Sequence, residues 1–154
     1  MRLKLVHPVC MLFDLRIAAD TAVFRWPEPS LGILPRMGGT QRLPRLVGYG
    51  RAMEILLTNE KVDAQRALQD GLVQKVVPKA DLMKEAVGMA QKICGLAPLA
   101  VESIKRCIRF GMEMDLEDGL DLENRLGMAL YETEDYTEGR TALLEKRAPA
   151  FKGK

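Results

Sequence analysis

The strongest periodicity lies in the second half of the chain. Over residues 81–94, Leu82, Ala86, Met89, Ala90 and Ile93 fall on one helical face, with lysines and acids opposite. Pro98 suits the first turn of a following helix, where a missing N–H costs nothing. That helix aligns Ala100, Ile104, Cys107 and Ile108 on one stripe and stops near Gly111. A third helix is expected over about residues 116–131, with Leu122, Leu126, Ala129 and Leu130 inward. A fourth, over 135–146, begins with acids and ends with bases, the polarity that a helix dipole favours.

Before Pro78 the apolar runs are shorter and Gly and Pro interrupt them. Residues 17–19 and 23–26 read as short strands, 52–57 and 64–69 as short helices, the latter closed by Gly71. Residues 72–77 form a β-branched strand stopped by Pro78. The fold class is therefore α/β, short strands and helices followed by an all-helical C-terminal region. The expected division is residues 1–78 for the α/β part and 79–154 for the helical part.

Composition narrows the function classes. In 154 residues, 47% are hydrophobic and 29% charged with both signs interspersed, which fits one globular core. A net charge of +2 without a basic run argues against nucleic acid or an anionic membrane as partner. The apolar stretch 9–13, bounded by Pro8 and Asp14, is too short to span a bilayer. The start carries Arg2 and Lys4 but no signal-peptide core and no visible transit peptide. Cys10, Cys94 and Cys107, odd in number and irregularly spaced, read as reduced, buried thiols of a cytoplasm-like compartment, or the mitochondrial matrix in a eukaryote.

Some candidate chemistry falls away at once. His7 is the single histidine and has no ligand pattern around it, so no metal site is expected. The stretch Gly38-Gly39-Thr40-Gln41 lacks the ending of a phosphate loop. Thr40 is expected instead as a helix N-cap, with the glycines allowing tight packing.

A more specific signal is a series of motifs in order. They are Asp14-Leu-Arg-Ile-Ala18, Phe24-Arg-Trp-Pro-Glu28, Leu31-Gly-Ile-Leu-Pro35 and Gly38-Gly-Thr-Gln-Arg-Leu-Pro-Arg45. Ala52-Met-Glu-Ile-Leu-Leu-Thr58, Gly71-Leu-Val73, Val76-Val-Pro78, Thr137-Glu-Gly139 and Glu145-Lys-Arg147 continue the register. Together they resemble the enoyl-CoA hydratase/isomerase (crotonase) family, from Asp14 almost to the end of the chain.

The resemblance implies a partial crotonase (ClpP/crotonase-like) fold, the C-terminal part of a subunit lacking its N-terminal half, since family members are about twice this long. It implies hydration of a trans-2-enoyl-CoA to a 3-hydroxyacyl-CoA, a step of fatty-acid β-oxidation. Acyl-CoA is then the substrate and no cofactor is expected. Two backbone N–H groups form the family's oxyanion hole, which stabilises charge developing on the thioester oxygen. One donor lies in the absent half; the other belongs to a Gly-rich turn that falls on residues 3–6, where no Gly occurs.

Of the family's two catalytic glutamates, the first falls on Pro8, which cannot transfer a proton but suits a helix start. The second falls on Glu28 and matches its motif. Apolar neighbours there would raise its pKa toward a useful range. Arg36 stands where the family prefers Gly, and is expected to lower the pKa of Glu28 and crowd the pocket. Lys146 corresponds to a lysine that holds the CoA 3′-phosphate end in family trimers, and Leu143 to an aromatic against the adenine.

Three readings follow. One is a hydratase impaired by loss of one glutamate and the oxyanion glycine. Another is an enoyl-CoA isomerase using Glu28 alone. The last is a non-catalytic fragment serving oligomerisation or weak CoA binding. A homo-oligomer, trimer or hexamer, is expected in each, with no nucleic acid and no membrane.

Overall fold

The computed structural model describes residues 5–6 and 8–154. Leu3, Lys4 and His7 lie outside them, and with them part of the stretch where the Gly-rich turn was expected. The chain forms two compact units, one ending at Ala86 and one spanning Val87–Lys154.

Among the described residues the first unit carries five short strands: β1 Leu5–Val6, β2 Ile17–Ala19, β3 Val23–Phe24, β4 Val62–Asp63 and β5 Lys75–Val77. β3 lies between β1, parallel to it, and β4, antiparallel to it. β2 and β5 pair in parallel with Ala18 opposite Val76. Parallel neighbours need a long crossover, and here it holds the helices α1 Gly39–Val47, α2 Tyr49–Thr58 and α3 Ala64–Gln69. Two expected strands are shorter than their apolar runs. β3 stops before Trp26, and Leu72 and Val73 precede β5 as buried loop residues.

Trp26, Leu43, Ile55, Val62 and Leu72 are the largest fully buried side chains and fill the centre of this unit. Each such burial contributes roughly 1.5–3 kcal/mol. Arg16 is buried beside them and ties two segments together. Its Nε donates to the Leu72 carbonyl at 2.6 Å and its Nη1 to the Phe13 carbonyl at 2.7 Å. Its backbone N–H and carbonyl bond Gln74, at 2.9 Å each. The Asp63 carboxylate caps α3 by accepting the Arg66 N–H at 2.8 Å.

Thr40 is not the N-cap of α1. Gly38 occupies that place at φ 86°, with no side-chain cap bond, and its carbonyl accepts the Arg42 N–H at 2.6 Å. The left-handed φ is open to glycine at little cost. The next position must also be small, since a Cβ on Gly39 would sit 2.6 Å from the Pro35 Cβ. Thr40 is left in the first turn, its hydroxyl accepting from the Gln41 side chain.

Four helices follow: α4 Leu82–Cys94, α5 Pro98–Gly111, α6 Leu116–Leu130 and α7 Glu134–Glu145. Each starts or stops within a few residues of the expected bounds. α5 and α6 pack as a hairpin, with Gly111 and Gly119 at the crossing: a Cβ on Gly119 would lie 3.6 Å from the Gly111 Cα. The stripe expected inward, Leu122, Leu126, Ala129 and Leu130 of α6, is another matter. α4, α5 and α6 contain no buried residue, and Ile104 and Ile108 are 58% and 63% exposed. Periodicity identifies residues that share a face but does not say what covers it.

After α7 the chain turns back along that helix. Asp135, buried at its N-terminus, accepts the Lys152 N–H at 2.6 Å and the Gly153 N–H at 2.8 Å through its two carboxylate oxygens. Its own N–H donates to the Lys154 carbonyl at 3.1 Å. Among the described residues, no helix is long and apolar enough to cross a membrane.

Candidate functional site

Glu28 follows an extended stretch in which burial alternates, with Phe24 and Trp26 inside and Arg25 between them. Arg25 is held outward by its bond to the Asn59 side chain at 2.9 Å. Pro27 then turns the chain, and Glu28 opens a 3₁₀ helix over Glu28–Leu31 with Pro29 in its first turn. The turn is closed on both sides. Ser30 bonds the Pro27 carbonyl through its N–H at 3.0 Å and its hydroxyl at 2.7 Å. Ile33 N–H donates to the Glu28 carbonyl at 3.2 Å, which Gly32 permits by adopting φ 73°.

These bonds fix where the Glu28 side chain leaves the backbone. The residue is half-buried, and its Oε2 is sealed from solvent without a hydrogen-bond partner. The indole Nε1 of Trp26, a side chain only 1% exposed, is in the same condition. An unpaired buried polar atom costs about 1–3 kcal/mol, and folding gains nothing from two such atoms so near in sequence. Arg36 forms no ion pair with Glu28 among the described residues.

Arg36 instead lines a groove of about 860 Å³ that begins at Pro29, immediately after Glu28. Ile33, Leu34, Met53 and Leu57 supply its apolar walls.

Leu143 and Lys146 are brought together at the end of α7, where the Lys146 N–H donates to the Leu143 carbonyl at 3.3 Å. Lys146 caps the helix at φ 55°, leaving its side chain exposed; Leu143 is 78% exposed. These two belong to the second unit and Glu28 to the first. Among the described residues no group of three His, Cys, Asp or Glu side chains could hold a metal ion. The Cys10 thiol is pushed up by burial, with the nearby Arg16 charge opposing.

Sequence reasoning passed over Arg16, Asp135 and the groove. A lone arginine flanked by Leu15 and Ile17 was the available signal for Arg16. The other two depend on segments distant in sequence and left no local trace.

Comparison with known proteins gives one consistent result. The family described as enoyl-CoA hydratase/isomerase matches residues 7–154. A probable enoyl-CoA hydratase of Mycobacterium bovis is 44% identical over 143 residues, covering 93% of this chain and 56% of the relative. A short-chain-enoyl-CoA hydratase of Clostridium acetobutylicum is 43% identical over 139 residues, 90% of this chain and 53% of the relative. The crystal structure of an enoyl-CoA hydratase from Bacillus anthracis superposes with a TM-score of 0.92 at 42% identity, covering 94% of this chain and 56% of that one. The chain thus spans about half the length of the curated relatives it matches.

Proposed function

Since the chain belongs to the enoyl-CoA hydratase/isomerase family, we propose that it acts on an acyl-CoA thioester, with Glu28 as the group that moves the proton. Its α/β elements and helices are part of the crotonase fold. In the proposed hydration of a trans-2-enoyl-CoA, water gives up one proton as its oxygen bonds C3, and one proton is added at C2, giving the 3-hydroxyacyl-CoA. Glu28 exchanges one of those protons. The observation that carries this assignment is the sealed, unpartnered Oε2 on a turn fixed by three backbone hydrogen bonds. A carboxyl held ready for a ligand proton is a sufficient reason for that cost.

Lys146, which has no ion pair among the described residues, is the proposed contact for the CoA phosphate end, with Leu143 beside it against the adenine. The uncovered faces of α4, α5 and α6 support assembly with further copies of the chain, a trimer or hexamer.

Hydration is followed by the loss of the conjugated thioester absorbance when purified chain meets a trans-2-enoyl-CoA. Glu28→Gln should reduce turnover by about 10²–10⁴-fold. An unchanged rate in that variant would remove Glu28 from the mechanism.

One observation favours a second reading. Pro8, on which the resemblance puts the family's first glutamate, opens a 3₁₀ helix, Pro8–Leu12. A single carboxyl can take a proton from C2 of a 3-enoyl-CoA and return it at C4, moving the double bond to C2–C3. Isomerisation without hydration, abolished by Glu28→Gln, would select this reading. Neither reaction from a folded chain would select the non-catalytic one.

A further inference from the structure

The groove after Glu28 joins apolar walls to a single charged side chain. Its walls are aliphatic and proline side chains, with Arg36, Thr40 and Tyr49 as the polar members. Arg36 is exposed and has neither hydrogen bond nor ion pair to its side chain among the described residues. Its backbone, by contrast, is firmly held. Pro35 before it is buried, the Arg36 carbonyl accepts the Gly39 N–H at 3.1 Å, and Met37 after it takes the left-handed φ of 56°. The guanidinium is therefore presented at the groove from a fixed point.

We propose that this groove takes an acyl chain ending in a carboxylate, and that Arg36 pairs with that carboxylate. The proposal rests on the acyl-CoA reading above and narrows it to one substrate class. A chain with a methyl end that lay over Arg36 would strip water from the guanidinium and offer nothing in return. A carboxylate end replaces that water with two parallel N–H···O bonds, for which the planar fork of arginine is shaped. The apolar walls then hold the methylenes between the thioester and the acid. A groove of about 860 Å³ lies within the size of small-molecule sites, about 300–1,000 Å³.

Two CoA thioesters of equal carbon number, saturated so that neither can be hydrated, test this by calorimetric titration: hexanoyl-CoA and the CoA monothioester of hexanedioic acid. The acid-ended ligand should bind about tenfold tighter to the unaltered chain, and Arg36→Gln should bring the two to equal affinity. Equal binding to the unaltered chain, or a preference that survives Arg36→Gln, overturns the role of Arg36 and leaves the acyl-CoA reading standing. Binding of neither thioester by a chain shown folded by circular dichroism overturns both, as when the groove is a seat for more protein.

Discussion

Arg147 and Glu138 meet as a two-pronged pair, Nη1 donating to Oε1 at 2.6 Å and Nη2 to Oε2 at 2.8 Å. The motifs Thr137-Glu-Gly139 and Glu145-Lys-Arg147 are thereby the two sides of one fastening. Arg147 also bonds Glu145 at 2.6 Å, and the Ala150 N–H reaches Glu138 at 2.7 Å. Gly139 completes it by leaving room for the Phe151 ring, which would lie 3.4 Å from a Cβ there.

This fastening sets an acid limit. The hydrogen bond from Arg147, followed by that from the Ala150 N–H, holds the Glu138 carboxyl at about 2, against an ordinary 4.5. A value lowered by folding stabilises fully above the ordinary pKa, and the effect is lost as pH falls through the folded one. The Ala150 amide resonance should therefore keep its folded position at about pH 4 and move as pH approaches about 2. A transition centred near the ordinary value would show that Glu138 and Arg147 are apart in solution.

Removing Arg16 should cost more than its charge suggests. Arg16→Ala leaves the Leu72 and Phe13 carbonyls without their donors, and the expected loss is about 2–3 kcal/mol in urea unfolding. Arg16→Lys should recover only part of it, because an ammonium lacks the fork that serves both carbonyls. A midpoint unchanged in Arg16→Ala would contradict the bonding described.

Two glycines separate packing from propensity. Gly39→Ala forces a Cβ to 2.6 Å from that of Pro35 and 3.6 Å from the Trp26 ring, and overpacking of this kind costs about 1–3 kcal/mol. Gly50→Ala, inside α2 with nothing within 4 Å, should instead stabilise by about 0.4–1 kcal/mol. Calorimetric melting of the two variants should move in opposite directions. Two shifts of the same sign would refute the account of Gly39.

The thiols should differ in reactivity. Cys94, expected to be buried, is exposed because the face of α4 that carries it is uncovered. Burial instead raises the Cys10 pKa and withholds its thiolate. At about pH 8 a thiol reagent should label Cys94 well before Cys10, as mass mapping of the peptides would report. Equal rates would place Cys10 at the surface.

Local signals carried the element types well. The α4 to α7 helices were visible because a 3.6-residue repeat is written within each segment, and the α/β class followed from a helix, a glycine and a β-branched run. Long-range facts were not visible. Nothing in residues 17–19 names Lys75–Val77 as their parallel partner. Thr40 was misjudged as a cap because residue type favours it, whereas the close approach of Pro35 to Gly39 is decided by the fold. Glu28 was singled out through its motif alone, and its unpaired oxygen appears only when the surrounding chain is in place. The stripe of Leu122, Leu126, Ala129 and Leu130 was recognised as a face and expected inward, yet none of the four is buried.

Trp26 is the single tryptophan of the chain, and it sits in the unit that ends at Ala86. Indole emission is therefore a built-in reporter of that unit alone, while most of the helical ellipticity arises from α4 to α7. Recording both signals along one denaturant series measures, without any label, whether the halves of this chain melt as one cooperative body or in succession.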